Sequence, residues 1–141
     1  MSSVIFHTFN QINRTGAMKL FRSHRSDFKD GEQSRDFIYI KDVVKMMMWL
    51  WQNIAPNGLY NIGTGKARTF YDLAANTFTA QGKQPDISFI DTPADIRDTY
   101  QYFTEANMNK LRSAGYPHLT YSLEEGIEDY VQHFLMSDTI W

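Results

Sequence analysis

Arg35 is the residue in this sequence best suited to bind an anion. It stands directly after a polar loop, residues 22–34, and before the apolar run of residues 37–40. A guanidinium presents a planar fork of N–H donors that matches the oxygens of a phosphate group. The alternative is a surface ion pair of Arg35 with Asp36 or Asp42, and such pairs are common and weak.

Three further cations and one aromatic residue extend this hypothesis. Arg22, His24 and Arg25 stand at the front of the polar loop. If the loop folds back, these side chains converge with Arg35 on one anionic ligand. Tyr100 lies between an apolar run and a predicted helix, where its ring could stack on a base or its hydroxyl could bind a phosphate; a role as a core tyrosine is the alternative.

The segment Gly63-Thr64-Gly65 is the candidate for a nucleotide-phosphate loop. A dinucleotide-binding fingerprint requires a small residue at position 68, which is Arg, and a Walker A loop requires Gly at position 60, which is Tyr. The segment is therefore interpreted as a tight structural turn that uses two glycines.

Composition excludes several classes of function. The net charge is −2 at pH 7, so no clustered basic excess indicates a nucleic-acid partner. The chain has no cysteine, and its four histidines have no i,i+4 pair, so no metal site is predicted. The acidic residues 27–32 lack the spacing of a calcium loop, and no Gly-x-Ser-x-Gly elbow occurs.

The periodicity predicts a mixed α/β fold. Helices are expected from Val4 to a stop at Gly16, from Asp42 as N-cap to about Gln52, from Thr69, from Thr104 as N-cap, and from a capping box at residues 122–125. Strands are expected at residues 18–21, 37–40, 59–62 and 87–90. Residues 136–141 are expected to form a loose tail.

Residues 43–51 are apolar on most sides, which predicts a helix buried from several directions. The run is too short to span a membrane, which requires ~20 apolar residues. With no targeting signal in the sequence, we expect a cytoplasmic protein with no membrane partner.

Six segments together resemble one enzyme family. They are residues 1–7 (MSSVIFH), 19–21 (KLF), 35–43 (RDFIYIKDV), 61–65 (NIGTG), 100–104 (YQYFT) and 111–116 (LRSAGY). With these runs the chain resembles the ADP-L-glycero-D-manno-heptose 6-epimerases, which are extended short-chain dehydrogenase/reductases. The resemblance extends from residue 1 to about residue 134.

The resemblance implies the fold and the site. The fold would be the C-terminal half of an extended short-chain dehydrogenase/reductase, comprising the last Rossmann strands and helices and a small mixed α/β substrate-binding domain. The substrate would be ADP-heptose, a precursor of lipopolysaccharide, and the substrate-contacting residues would be His7, Phe21, Arg22, Ser23, His24, Arg35 and Tyr100. Arg35 and Tyr100 would hold the diphosphate region.

The cofactor-binding and catalytic motifs of the family have no counterpart in this sequence. The family uses NADP in a glycine-rich loop and a Tyr-x-x-x-Lys pair, and the sequence contains neither motif. We therefore expect residues 1–141 to be a substrate-binding portion that does not turn over alone.

Two alternatives remain open. The chain could belong to another nucleotide-sugar epimerase or dehydratase. It could also be a non-catalytic module that associates, as dimers or larger homo-oligomers, through the apolar faces of its first helix and of residues 43–51.

Overall fold

The computed structural model describes residues 3–53 and 55–137. Helix α1 (Val4–Thr15) follows the apolar spacing of the sequence and buries Phe9 and Ile12. It ends at Gly16, which adopts a left-handed φ of 75° and donates its N–H to the Ile12 carbonyl. The predicted first helix and its glycine stop are therefore confirmed.

The sheet that follows α1 is parallel. Strand β1 (Met18–Phe21) pairs with strand β4 (Ile87–Ile90), with Met18 opposite Ile87 and Phe21 opposite Ile90. Helix α3 (Phe70–Ala80) lies between them in sequence and packs its buried Ala74 and Phe78 against the sheet residues. Both predicted strands are confirmed, and the fold is α/β with a parallel sheet.

A second, shorter sheet holds the end of the polar loop. Strand β2 (Ser34–Arg35) pairs antiparallel with strand β3 (Arg68–Thr69), with Ser34 opposite Thr69. The strand predicted at residues 37–40 is wrong. Phe37 packs beside the core cluster of Phe9 and Leu73, whereas Ile38 packs beside that of Met46, so the segment bridges two cores instead of pairing in a sheet.

Helix α2 (Ile40–Gln52) begins two residues before the predicted cap. Tyr39 is the N-cap, and Asp42 lies inside the first turn, where it is fully buried and accepts the Tyr121 N–H at 2.8 Å. The prediction of burial on several sides is also wrong, because only Asp42 and Met46 of this helix are buried.

The strand predicted at residues 59–62 does not form. Tyr60 and Ile62 pack around the Met46 cluster, but Leu59 is 93% exposed. No described segment pairs with this run, and an isolated extended segment has no ladder of hydrogen bonds to define it as a strand.

The last third of the chain contains short helices. They are α4 (Ala94–Arg97), α5 (Asn109–Ser113) and α6 (Leu123–Tyr130), and a π-helical turn, Val131–Leu135, continues α6. The cap predicted at Thr104 is wrong, since Met108 is the N-cap of α5. The capping box of Ser122 and Glu125 is confirmed. Of the predicted tail, residues 138–141 lie outside the described residues.

Three apolar clusters form the core. The first joins α1, α3 and α6 through Phe9, Leu73 and Ile127. The second lies between α3 and the parallel sheet, and the third surrounds Met46, Leu111 and Tyr116. Within the described residues, no helix is long and apolar enough to cross a lipid bilayer.

Candidate functional site

A cavity of about 390 Å³ opens where α1, β1 and the start of α3 meet. Its polar and aromatic lining consists of His7, Lys19, Phe21, Gln33, Phe70 and Tyr100. Three of these, His7, Phe21 and Tyr100, are residues that the sequence analysis proposed to contact substrate. Residues far apart in the sequence therefore share one concave surface.

Arg35 lies beside two aromatic residues that line this cavity. Its guanidinium carbon is 5.7 Å from the ring centroid of Phe70 and 5.7 Å from that of Tyr100, both of which line the cavity. Its Nη1 donates to the Ser34 carbonyl at 2.8 Å, and its Nη2 donates to the Gln101 carbonyl. These contacts hold the planar fork in one orientation.

The charge of Arg35 has no carboxylate to balance it. Among residues 3–53 and 55–137, Arg35 makes no ion pair within 4.0 Å and its Nε donates no hydrogen bond. The alternative of an ion pair with Asp36 or Asp42 is therefore wrong. A half-buried cation held by neutral groups alone is suited to an anionic ligand.

Tyr100 is positioned by aromatic neighbours. Its ring meets those of Phe21 and Tyr102 edge to face, each at a centroid distance of 5.9 Å. Burial raises the pKa of the Tyr100 hydroxyl, and the nearby charge of Arg35 opposes this only in part. The hydroxyl therefore remains protonated at neutral pH and can donate a hydrogen bond.

Arg22, Ser23 and His24 have their own partners in the polar loop. Arg22 pairs with Asp30 at 3.3 Å and with Asp91 at 3.4 Å. The Ser23 N–H donates to Asp30, the Ser23 hydroxyl to the Arg25 carbonyl, and the His24 N–H to the Tyr102 hydroxyl. None of the three lines the cavity.

The proposed convergence of loop cations on Arg35 is therefore not observed. Arg25 binds Asp27 through two nitrogens and lies over the rings of Phe28 and Tyr102. The acidic residues of the same loop balance Arg22 and Arg25. Arg35 is the loop-end cation left without such a partner among the described residues.

The glycine turn binds a carboxylate of the chain itself. Asp36 accepts the N–H groups of Thr64, Gly65 and Ala106 at 2.8, 2.9 and 3.0 Å, and also the Thr64 hydroxyl. Burial alone would raise the pKa of Asp36, but these hydrogen bonds outweigh it and hold the pKa below its usual value. The turn is structural, as predicted, and its amides are occupied.

Gly63 shows why this turn requires glycine. A Cβ at position 63 would lie 2.5 Å from the Ala106 Cβ and 2.7 Å from the Asp36 carboxylate. Both distances are below van der Waals contact. The Asp36 carboxylate cannot move away easily, because it is held by the hydrogen bonds from Thr64, Gly65 and Ala106. The sequence pattern of a phosphate loop therefore results from close packing around Asp36.

The cavity lining also includes three residues that were not predicted from the sequence: Lys19, Gln33 and Phe70. Gln33 lies in the polar loop, where a buried side chain is unexpected, yet it is 2% exposed. Phe70 is the first residue of α3, and only the packing of that helix against β1 turns it to the cavity. No local pattern distinguishes these residues from ordinary loop and helix residues.

Comparison with known proteins shows which proteins this chain resembles. The model of the NAD dependent epimerase/dehydratase family matches residues 1–63. An ADP-L-glycero-D-manno-heptose-6-epimerase of Fusobacterium nucleatum is 49% identical over 98% of this chain and 43% of its own length. One of Nitratidesulfovibrio vulgaris is 50% identical over 96% of this chain and 42% of its own. Residues 1–63 therefore match this family's model, and the similarity to the two curated epimerases extends over nearly all of the chain.

Solved structures of the family have the same fold. The ADP-L-glycero-D-manno-heptose-6-epimerase of Helicobacter pylori superposes with a TM-score of 0.73 at 27% identity, covering 94% of this chain and 38% of its own. A UDP-glucose 4-epimerase of Thermus thermophilus, solved with NAD, gives 0.73 at 22% identity over 94% and 40%, which shows the fold alone. The chain spans about two fifths of the length of the curated relatives that it matches.

Proposed function

We propose that this chain binds the nucleotide-sugar substrate of an ADP-heptose 6-epimerase. The observation that carries the proposal is Arg35, a cation without a carboxylate partner among residues 3–53 and 55–137, which lies beside Tyr100 of a cavity also lined by His7 and Phe21. A diphosphate would lie against Arg35, and the sugar would enter the cavity. The preference for an ADP-sugar is supported by the names of the relatives that share about half of its residues.

Calorimetric titration tests the proposal. ADP-heptose is expected to bind more tightly than UDP-, GDP- or dTDP-sugars carrying hexoses. Tighter binding of a non-adenine nucleotide would instead favour another epimerase or dehydratase of the family. No binding of any nucleotide sugar would refute the proposal.

The described residues do not fit the phosphates of a dinucleotide cofactor at the glycine turn. The family is NAD(P)-dependent, and the resemblance implied NADP, but the Thr64 and Gly65 amides already bind Asp36. A phosphate at this turn would have to displace a carboxylate. We therefore assign no cofactor contact to residues 63–65.

Turnover by the chain alone is not expected. No tyrosine in the sequence has a lysine four residues later, and the cavity lining contains no carboxylate. Mixing the chain with ADP-heptose and NADP is expected to leave the C6 configuration unchanged, as followed by NMR of the sugar. Detectable epimerisation would overturn the assignment of a purely binding role.

A second candidate function is association through helix α2. Val44, Met47 and Trp51 are exposed on this helix at 52, 56 and 80%. Exposed apolar surface of this kind promotes contact with another protein surface. A non-catalytic interaction module would use this face even where no nucleotide sugar binds, so titration and sedimentation distinguish the two functions.

A further inference from the structure

The side chain of Gln33 carries an acceptor that no described residue uses. Its Nε2 donates to the Phe21 carbonyl at 3.3 Å, and its backbone carbonyl accepts the Phe70 N–H at 3.0 Å. These two bonds fix the residue between β1 and α3. Its Oε1 has no hydrogen-bond partner among the described residues, although the residue is only 2% exposed.

The free Oε1 of Gln33 lies beside a cavity that can hold a hydrogen-bond donor. Oε1 is not among the fully buried side-chain atoms without a partner in the described residues, so it keeps some access to the space beside it. Water or a ligand in that space can therefore donate a hydrogen bond to it. Gln33 lines the cavity of about 390 Å³ together with His7, Phe21 and Tyr100. The cavity is large enough for a sugar ring.

The chemistry of the acceptor selects the group that it can bind. Carbonyl oxygens accept hydrogen bonds, as phosphate oxygens do, so Oε1 and a phosphate would repel each other. A sugar hydroxyl can donate. We propose that Gln33 is a specificity-determining residue that accepts a hydrogen bond from a hydroxyl of the sugar.

Position in the chain supports this division of roles. Gln33 is two residues before Arg35, whose guanidinium lies beside the cavity residues Phe70 and Tyr100. A phosphate bound by Arg35 would place the sugar attached to it beside Gln33. The inference thus rests on the proposed function and adds Gln33 as the residue that recognises the sugar.

The test compares ADP-heptose with ADP on two proteins. Methionine is close to glutamine in length and shape but has neither an N–H donor nor a strong acceptor. Gln33→Met therefore removes the Oε1 acceptor, and also the hydrogen bond to the Phe21 carbonyl, with little change in volume. The variant is expected to bind ADP-heptose about tenfold more weakly by calorimetry, the loss of one hydrogen bond. Its affinity for ADP is expected to stay within about twofold of wild type.

The outcomes separate the two proposals. If the wild-type chain binds neither ligand, the proposed function fails. Suppose the wild-type chain binds ADP-heptose. If Gln33→Met then lowers the affinity for neither ligand, or lowers both affinities equally, the proposed hydrogen bond between Gln33 and the sugar is wrong. An equal loss would indicate that Gln33 contacts the nucleotide or only supports the loop.

A second measurement needs no variant. The side-chain amide of Gln33 gives its own ¹H–¹⁵N NMR signals in the wild-type chain. These signals are expected to shift when ADP-heptose is added and to remain in place when ADP is added at equal occupancy. Signals that respond equally to both ligands would overturn the inference even if Gln33→Met does not fold.

Discussion

The guanidinium of Arg35 contacts neutral groups, namely two backbone carbonyls and two aromatic rings. These contacts predict the effect of replacing Arg35 on ligand binding. Replacing it in Arg35→Ala removes the cation proposed to bind the diphosphate. Binding of ADP-heptose is expected to weaken by about 1.5–3 kcal/mol, the range for a hydrogen bond to a charged group. Calorimetric titration measures the change.

Arg25→Ala is the matched control, because Arg25 pairs with Asp27 and does not line the cavity. Its affinity for ADP-heptose should equal that of the wild type. Arg35→Lys should recover only part of the loss, since an ammonium lacks the planar fork that stacks between Phe70 and Tyr100. An Arg35→Ala chain with unchanged affinity would contradict the phosphate role.

Asp36 determines how the glycine turn responds to acid. Its folded-state pKa lies below the unfolded value of 3.8, so its contribution to stability is present above pH 3.8 and is lost as the pH falls through the folded pKa. In Asp36→Asn an amide nitrogen replaces one of the two oxygens, and at least one N–H then faces a donor. The free energy of unfolding at pH 7 is expected to fall by about 2 kcal/mol.

Urea unfolding from pH 7 down to pH 2.5 measures this effect. The difference between wild type and Asp36→Asn should shrink over the acid end of that range, where the wild-type carboxylate also becomes neutral. Asp86→Asn is the control, because Asp86 is exposed and its side chain has no described hydrogen bond or ion pair. A difference that is constant with pH would contradict the assigned role of the Asp36 charge.

At the scale of single elements, the capping box of α6 is the clearest local signal. The Ser122 hydroxyl accepts the Glu125 N–H at 3.2 Å, and Glu125 accepts the Ser122 N–H at 2.8 Å. Ser122→Ala is expected to lower the free energy of unfolding by about 1 kcal/mol. Urea unfolding at pH 7 provides the measurement.

The exposed Ser26 supplies the comparison for this helix cap. Ser26→Ala should change the free energy of unfolding by less than about 0.5 kcal/mol, as is usual for surface substitutions. Equal effects of the two alanine variants would show that the box does not stabilise α6.

Elements with a local cause could be predicted, and those that depend on a partner could not. Gly16 and Ser122 end or begin helices through hydrogen bonds within a few residues, so the sequence located them. Residues 37–40 and 59–62 have the apolar composition of strands. A strand also requires a neighbour with which to pair, and no described segment pairs with either run.

At the scale of the whole molecule, the exposed face of α2 predicts association. Trp51 is 80% exposed, and Met47 and Val44 lie on the same accessible surface. We expect the chain to form dimers or larger oligomers, seen as a sedimentation coefficient that rises with protein concentration. Trp51→Glu places a charge on this face and should shift the equilibrium to the monomer.

Thr79→Glu is the control for added charge, because Thr79 is exposed on a different helix, α3. It should sediment as the wild type does. A wild-type chain that is monomeric at every concentration would contradict association through α2.

The sequence by itself determined the α/β class, the helix boundaries with local caps and the resemblance to an epimerase family, and it predicted Arg35 as an anion-binding residue. Those depend on residue types and on contacts close in the chain. Only the tertiary structure decided that Arg35 has no carboxylate partner in the described part of the chain, that Asp36 fills the glycine turn, and that Gln33 lines the same cavity as His7 and Tyr100. These facts depend on contacts between segments up to tens of residues apart, which burial and chain packing set and no local pattern encodes.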